Sequence, residues 1–186
     1  MTTKLGLVVR AKAGDTDAFQ ALIHAEKEKL YKMAFVYMRN EHDALEVFQE
    51  TVYKSFKSIE TLRNNEYFST WLTRILINTA LDSLRKQKKV VSLSNEVLES
   101  MGTTWQFKSE EQLDLLTALD KIDEKYKTVL LLRFYEDYTI EQISEFLNSP
   151  EGTVKTHIRR GLDALKKKLK GVYSDDRKDS IFQKGN

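Results

Sequence analysis

Four side chains in the stretch SPEGTVKTHIRRG (residues 149–161), namely Lys155, Thr156, Arg159 and Arg160, follow the spacing of one helix face. All four can donate hydrogen bonds. Arg and Lys are the commonest partners of guanine in the DNA major groove, and the first turns of a helix laid in that groove meet the bases. Ser149 and Thr153 add hydroxyls beside the helix start, where free backbone N–H groups suit a phosphate. The chain's single proline, Pro150, stands at the head of this stretch. A Ser-Pro-Glu start predicts Ser149 as N-cap, Pro150 at the first helical position and Glu151 in the first turn, facing the positive end of the dipole. The competing reading is an amphipathic hairpin with a solvated basic face, which fits the run LKKKLK (165–170) as well.

Three further groups carry chemistry. In LRNNEYF (62–68), Arg63, Asn64 and Asn65 offer hydrogen-bonding groups and Tyr67 an aromatic face. Trp71, Arg74, Asn78, Asp82 and Arg85 follow at intervals of three or four and can be neighbours on one helix. Trp71 is read as core, Arg74 and Arg85 as phosphate partners, and Asn78 as an amide edge for a base. The third group is acidic: residues 41–50 hold Glu41, Asp43, Glu46 and Glu50 with no Lys or Arg. An ordinary solvated face is the plain reading of such a cluster; a basic partner is the functional one.

The elements that must position these groups are helical. Seven glycines and one proline in 186 residues, with no run alternating at period two, predict an all-α protein. Apolar residues recur at helical spacing over 16–38 (Phe19, Leu22, Ile23, Leu30, Met33, Ala34, Tyr37), over 42–59 (Ala44, Phe48, Val52, Phe56, Ile59) and over 69–86 (Trp71, Leu72, Ile75, Ala80, Leu84). The pattern fades across 88–109 and resumes from Glu110 to Lys170. This predicts two small helical domains, 1–87 and 110–171, joined by a flexible linker over 88–109, with a polar, frayed tail over 172–186. A linker of this length spans roughly 25 Å on average and reaches ~70 Å when extended.

Within the second domain, Thr139-Ile140-Glu141-Gln142 has the form of a capping box. The helix it opens places Ile140, Ile143, Phe146 and Leu147 on one face. The helix after Pro150 does the same with Val154, Ile158, Leu162, Leu165 and Leu169. A short capped helix, a tight turn and a donor-bearing helix make a helix-turn-helix.

Charge totals hide this division. Thirty Lys and Arg against 28 Asp and Glu leave +2, yet residues 151–170 carry seven Lys or Arg against Glu151 and Asp163. Partners of opposite sign are expected at different places on the molecule. The absence of cysteine excludes disulfides, thiolate catalysis and Cys-ligated zinc. His24, His42 and His157 are scattered, with neither metal-ligand spacing nor a phosphate-cradling glycine loop, so neither metal nor cofactor is expected. No stretch approaches the ~20 apolar residues of a membrane span, and a soluble intracellular protein is expected.

Taken together, GDTDAFQALI (14–23), DALEVFQET (43–51), FSTWLTRILINTALDSLRKQKK (68–89) and SPEGTVKTHIRRGLDALKKKL (149–169) resemble the extracytoplasmic-function (ECF) group of bacterial sigma factors, in the family's order and over nearly the whole chain. The resemblance implies a cytoplasmic, non-enzymatic transcription initiation factor. Residues 1–87 would be sigma region 2, binding core RNA polymerase and the promoter −10 element; residues 110–171 would be sigma region 4, binding the −35 element. It implies docking of Asp43, Glu46, Gln49 and Glu50 on the clamp helices of the polymerase β′ subunit, and contact with the β flap. It further implies −10 DNA contacts by Arg63, Asn64, Asn65, Tyr67, Arg74, Asn78, Asp82 and Arg85, with a base flipped into the 62–68 loop. Contacts to the −35 element would come from Ser149, Thr153, Lys155, Thr156, Arg159 and Arg160. An anti-sigma factor, which can be membrane-bound, is an implied partner, with no membrane insertion by this chain.

The chain departs from the family's pattern at four places: Leu45-Glu46 in the acidic helix, Ile122-Asp123 where Leu-Pro is frequent, and Ser144 and Gly161 where alanine is usual. Glycine inside a helix is expected to cost up to ~1 kcal/mol relative to alanine. A free-standing helix-turn-helix regulator would leave the acidic helix and TWLTRILINTALDSLRK (70–86) without a role. An enzyme or a purely adaptor bundle has less support in these residues.

Overall fold

The structure is a computed structural model that describes residues 3–91 and 110–182, with side chains over 3–87 and 113–170. Every regular element among the described residues is helical. The chain divides into two compact units, residues 1–103 and 104–186. No helix among the described residues is long and apolar enough to cross a membrane.

The first unit holds α1 (Lys4–Lys12), α2 (Thr16–Met38), α3 (Glu41–Ser58) and α4 (Phe68–Val91). Asp15 separates α1 from α2 and serves both. Its Oδ1 accepts the Ala18 N–H at 3.0 Å, capping α2, while Oδ2 meets the Arg10 guanidinium on α1. Gly14, at φ +91°, supplies the left-handed residue that ends α1, and the Asp15 N–H returns to the Arg10 carbonyl. Arg39 ends α2 in the same way at φ +64°, and Asn40 caps α3 by accepting the Asp43 N–H at 2.8 Å.

α2 packs on α1, α3 and α4, and α3 on α4, around Phe19, Leu22, Met33, Tyr37, Phe68, Leu72, Leu76 and Ile77. The buried line of α3 is Ala44, Val47, Thr51 and Ser55. Phe48 and Val52 are half-buried and Phe56 is exposed, so the expected line of large residues is rotated. Small side chains let α3 lie close to its neighbours. Its buried hydroxyls are satisfied within the helix, Thr51 donating to the Val47 carbonyl and Ser55 to that of Val52.

The second unit holds α5 (Glu110–Asp120), α6 (Glu124–Leu130), a π-helical turn (Leu131–Tyr135), α7 (Ile140–Leu147) and α8 (Glu151–Phe182). The expected capping box is present: Gln142 N–H donates to Thr139 Oγ1 at 3.1 Å, and Thr139 N–H to Gln142 Oε1 at 2.8 Å. Asn148 ends α7 in the left-handed region at φ +48°. Asp123 already has φ −57°, the angle a proline would impose, so Ile122-Asp123 reaches without proline the angle that Leu-Pro would fix. The linker expected over 88–109 begins four residues inside α4, and its remainder lies outside the described residues. α8 runs through Val172 to Phe182, so the first eleven residues expected to fray are helical in backbone.

Candidate nucleic-acid interface

Where Ser149 was expected to cap α8, the structure gives it a different task. Its hydroxyl donates to the Leu147 carbonyl at 3.2 Å, and its own carbonyl accepts Ser144 Oγ at 2.7 Å. The Ser149 N–H donates to the Ser144 carbonyl at 3.0 Å, completing the end of α7. Pro150 therefore precedes the first helical residue, and its carbonyl accepts from Thr153 and Val154 at 2.9 and 3.1 Å. Proline fixes φ while leaving that acceptor free. Ser144 belongs to this turn as a hydroxyl, which an alanine could not replace.

α8 buries Val154 and Gly161, with His157, Ile158, Ala164 and Leu165 half-buried. Leu162, expected on the core face, is 42% exposed, because Gly161 takes the position nearest α6. A Cβ on Gly161 would lie 3.2 Å from Leu130 Cγ and Cδ1 and from Tyr126 Cβ. The propensity lost to glycine is thus offset by close helix packing, a reason the spacing alone did not reveal. His157 meets the Tyr126 ring edge to face at 5.5 Å. This contact fixes the rotation of α8 and leaves Thr153, Lys155, Arg159 and Arg160 exposed, with Thr156 half-exposed. Lys155 pairs with Glu151 at 3.1 Å and Arg159 reaches Asp163 at 4.0 Å. Thr156 Oγ1 donates to the Gly152 carbonyl. Arg160 makes no ion pair among the described residues.

In the first unit, the loop between α3 and α4 is drawn together by two short turns, Ile59–Thr61 and Asn65–Tyr67. Arg63, Asn64 and Tyr67 are exposed and Asn65 is half-buried. Asn64 Oδ1 accepts the Glu66 N–H at 3.0 Å. Phe68, completely buried, starts α4 directly behind Tyr67 and packs on the Trp71 ring at 5.9 Å. Along α4, Arg74, Asn78, Asp82 and Arg85 are exposed on one stripe, with Trp71 half-buried at its head. Arg85 pairs with Asp82 at 3.0 Å.

The acidic helix is less uniform than its sequence suggests. Glu46, Gln49 and Glu50 face solvent beside exposed Leu45, Tyr53 and Phe56. Glu50 is partly compensated by Lys54 one turn on, at 3.4 Å. Asp43 turns inward: its Oδ2 accepts Asn40 Nδ2 at 2.8 Å and Gln87 Nε2 at 2.7 Å, tying α3 to α4. Sequence reasoning missed Gln87 because its role depends on a contact 44 residues distant, and missed Asn40 although its capping partner Asp43 lies only three residues on. His42, Asp43 and Glu46 bring ligating atoms within 4.8 Å of one another, a closeness that neighbouring turns of one helix produce, with Asp43 already engaged elsewhere.

Three carboxyls of this unit are held below their ordinary values. For Asp15 the Ala18 backbone N–H acts most strongly, then Arg10. For Glu26 and Asp43 partial burial pushes upward and is outweighed, by Lys4 and Ser69 on Glu26 and by Asn40, Gln87 and His42 on Asp43. A carboxyl depressed on folding stabilises fully above its unfolded pKa, and that stabilisation is lost as pH falls through the folded value. The unit is therefore expected to lose stability progressively on acidification below about pH 4.5. Glu26→Gln and Asp43→Asn should flatten this acid limb in melting curves followed by Trp71 fluorescence. A melting point independent of pH between about 6 and 3 would contradict these pairings.

Comparison with known proteins bears on the family and the fold. Residues 22–90 match the family model for Sigma-70 region 2, and residues 112–165 that for Sigma-70, region 4. The chain is 40% identical over 145 residues to the RNA polymerase sigma factor SigV of Bacillus subtilis, covering 77% of this chain and 86% of that one. It is 34% identical over 179 residues to the ECF RNA polymerase sigma factor SigW of the same organism, covering 89% and 96%. Among solved structures, it shares its fold with the sigma factor RpoE of Bartonella quintana, crystallised with the anti-sigma factor NepR. That match has a TM-score of 0.71 and 20% identity, over 82% of this chain and 96% of that one. CnrH, solved with the cytosolic domain of CnrY, matches with a TM-score of 0.68 and 19% identity, over 90% and 97%. The chain belongs to the ECF RNA polymerase sigma factors.

Proposed function

We propose that this chain joins core RNA polymerase in the cytoplasm and directs it to a set of promoters by reading two DNA elements, the catalysis remaining with the polymerase. The observation that carries this reading is the pairing of an exposed donor stripe in each unit, on α4 and on α8, with an acidic face on α3. Glu46, Gln49 and Glu50 would dock on a basic partner helix, for which the β′ clamp helices are the candidate, and the exposed Leu45, Tyr53 and Phe56 would add apolar area. Asp43 supports that surface from within, by holding the start of α3 on Gln87. Arg63, Asn64, Asn65 and Tyr67, with Arg74, Asn78 and Arg85, would take the −10 strand. Asp82, bound to Arg85, would orient that guanidinium. Thr153, Lys155, Thr156, Arg159 and Arg160 would meet the −35 duplex, with Ser149 shaping the turn. The second unit would also meet the β flap, and an anti-sigma factor would cover these surfaces, a reading supported by the complex in which RpoE was solved.

The test is association with core polymerase followed by run-off transcription. Glu46→Lys with Glu50→Lys should weaken core association about tenfold or more, with a marked salt dependence. Asp43→Asn should lower stability before it lowers affinity. Failure of the unaltered chain to associate with core polymerase would overturn the proposal.

A further inference from the structure

The loop that faces the −10 strand is held from α1, an element to which the functional reading gives no role. Lys12, the last residue of α1, is half-buried and donates Nζ to the Leu62 carbonyl at 2.7 Å and to Asn65 Oδ1 at 3.2 Å. An ammonium group only donates, so it turns the Asn65 oxygen toward itself and leaves the amide NH2 as the group available to a ligand. The neighbouring Asn64 is oriented in the same sense, because its Oδ1 accepts the Glu66 N–H at 3.0 Å. Arg63 has no acceptor at all. The amides of Asn64 and Asn65 and the Arg63 guanidinium therefore offer donors outward, with the exposed Glu66 carboxylate as the loop's one acceptor-only side chain, beside a Tyr67 ring that is 57% exposed.

We propose that Lys12 is a positioning residue that sets the hydrogen-bonding polarity of this loop, so that the captured base is one presenting neighbouring acceptors. Guanine does so through O6 and N7, and cytosine through O2 and N3. Adenine places a donor beside each acceptor of its Watson–Crick and Hoogsteen edges, and is disfavoured. This rests on the reading of the 62–68 loop as a base-capturing element and adds the residue that aims it.

The experiment uses holoenzyme assembled from the full chain and core polymerase, selecting open complexes from a promoter library randomised across the −10 element. The parent promoter is one found by mapping transcript starts after overexpression. The unaltered chain should enrich guanine or cytosine over adenine at one position. Lys12→Met should reduce that preference about tenfold, the effect of one or two lost or misdirected hydrogen bonds, and Lys12→Arg should largely restore it. Asn65→Asp retains the contact to Lys12 but replaces the outward donor with an acceptor, and should shift preference toward bases offering an amino group. That shift would not follow from a merely structural role, and it decides the matter should Lys12→Met unfold the unit. An undiminished preference in a folded Lys12→Met, or an unchanged one in Asn65→Asp, would overturn the role of Lys12. No base preference with the unaltered chain would instead overturn the loop's reading itself.

Discussion

Phe68→Ala is expected to destabilise the first unit by about 3–5 kcal/mol, the range for deleting a buried aromatic ring. A small domain has only about 5–15 kcal/mol in total, so much of the unit would unfold near its working temperature. Phe68 is completely buried at the first position of α4, against Trp71. It therefore anchors both the core and the end of the loop before it. Tyr67, one residue earlier and 57% exposed, gives the contrast. Tyr67→Ala should leave stability nearly unchanged yet remove a stacking face worth ~1–3 kcal/mol toward an unstacked base. Denaturant melts followed by Trp71 fluorescence, with Trp105→Phe to isolate the signal, measure the first effect. Open-complex formation measures the second. Equal stability losses at the two positions would show that Tyr67 belongs to the core and not to a binding surface.

The contrast between these adjacent residues also marks how far the sequence is legible. Helices α2, α3 and α4 follow from apolar spacing, and α7 from its capping box, because those signals lie within one or two turns. α1 does not follow. KLGLVVRAK (4–12) contains a glycine and two adjacent valines, poor helix formers whose cost is offset by packing Val8 and Ala11 in the core and by contacts that only the tertiary fold supplies. Its role at the loop was hidden with it, since Lys12 lies 50 residues from Leu62. Asp43 was legible as a charge but not as an inward one; its bonds to Asn40 and to Gln87 on α4 distinguish it from Glu46. Gly161 read as a defect in a helix until Leu130 and Tyr126 supplied the reason for it. Spacing reports which face a residue occupies, while its partner depends on the tertiary fold.

Arg160→Ala is expected to weaken recognition of the −35 element by about 1–3 kcal/mol, roughly 5- to 150-fold, and to relax base preference at one position. The argument begins with Gly161. A Cβ there would lie only 3.2 Å from Leu130 and Tyr126, so turning α8 to bring a larger residue into that position would crowd α6. The preceding side chain then leaves the helix in a fixed direction. Lys155 and Arg159 also face out, but each spends part of its charge along the helix, on Glu151 and Asp163. Such exposed pairs are worth under ~1 kcal/mol, enough to orient a side chain and to lessen what its loss costs in binding. Arg160 has no such pair among the described residues and would offer DNA its whole guanidinium. Its removal should therefore exceed removal of Lys155 or Arg159 both in affinity and in base preference. Selection from a library randomised across the −35 element measures both at once. Affinity lost equally on all sequences, with the salt slope reduced by about one, would reassign Arg160 from base edge to phosphate.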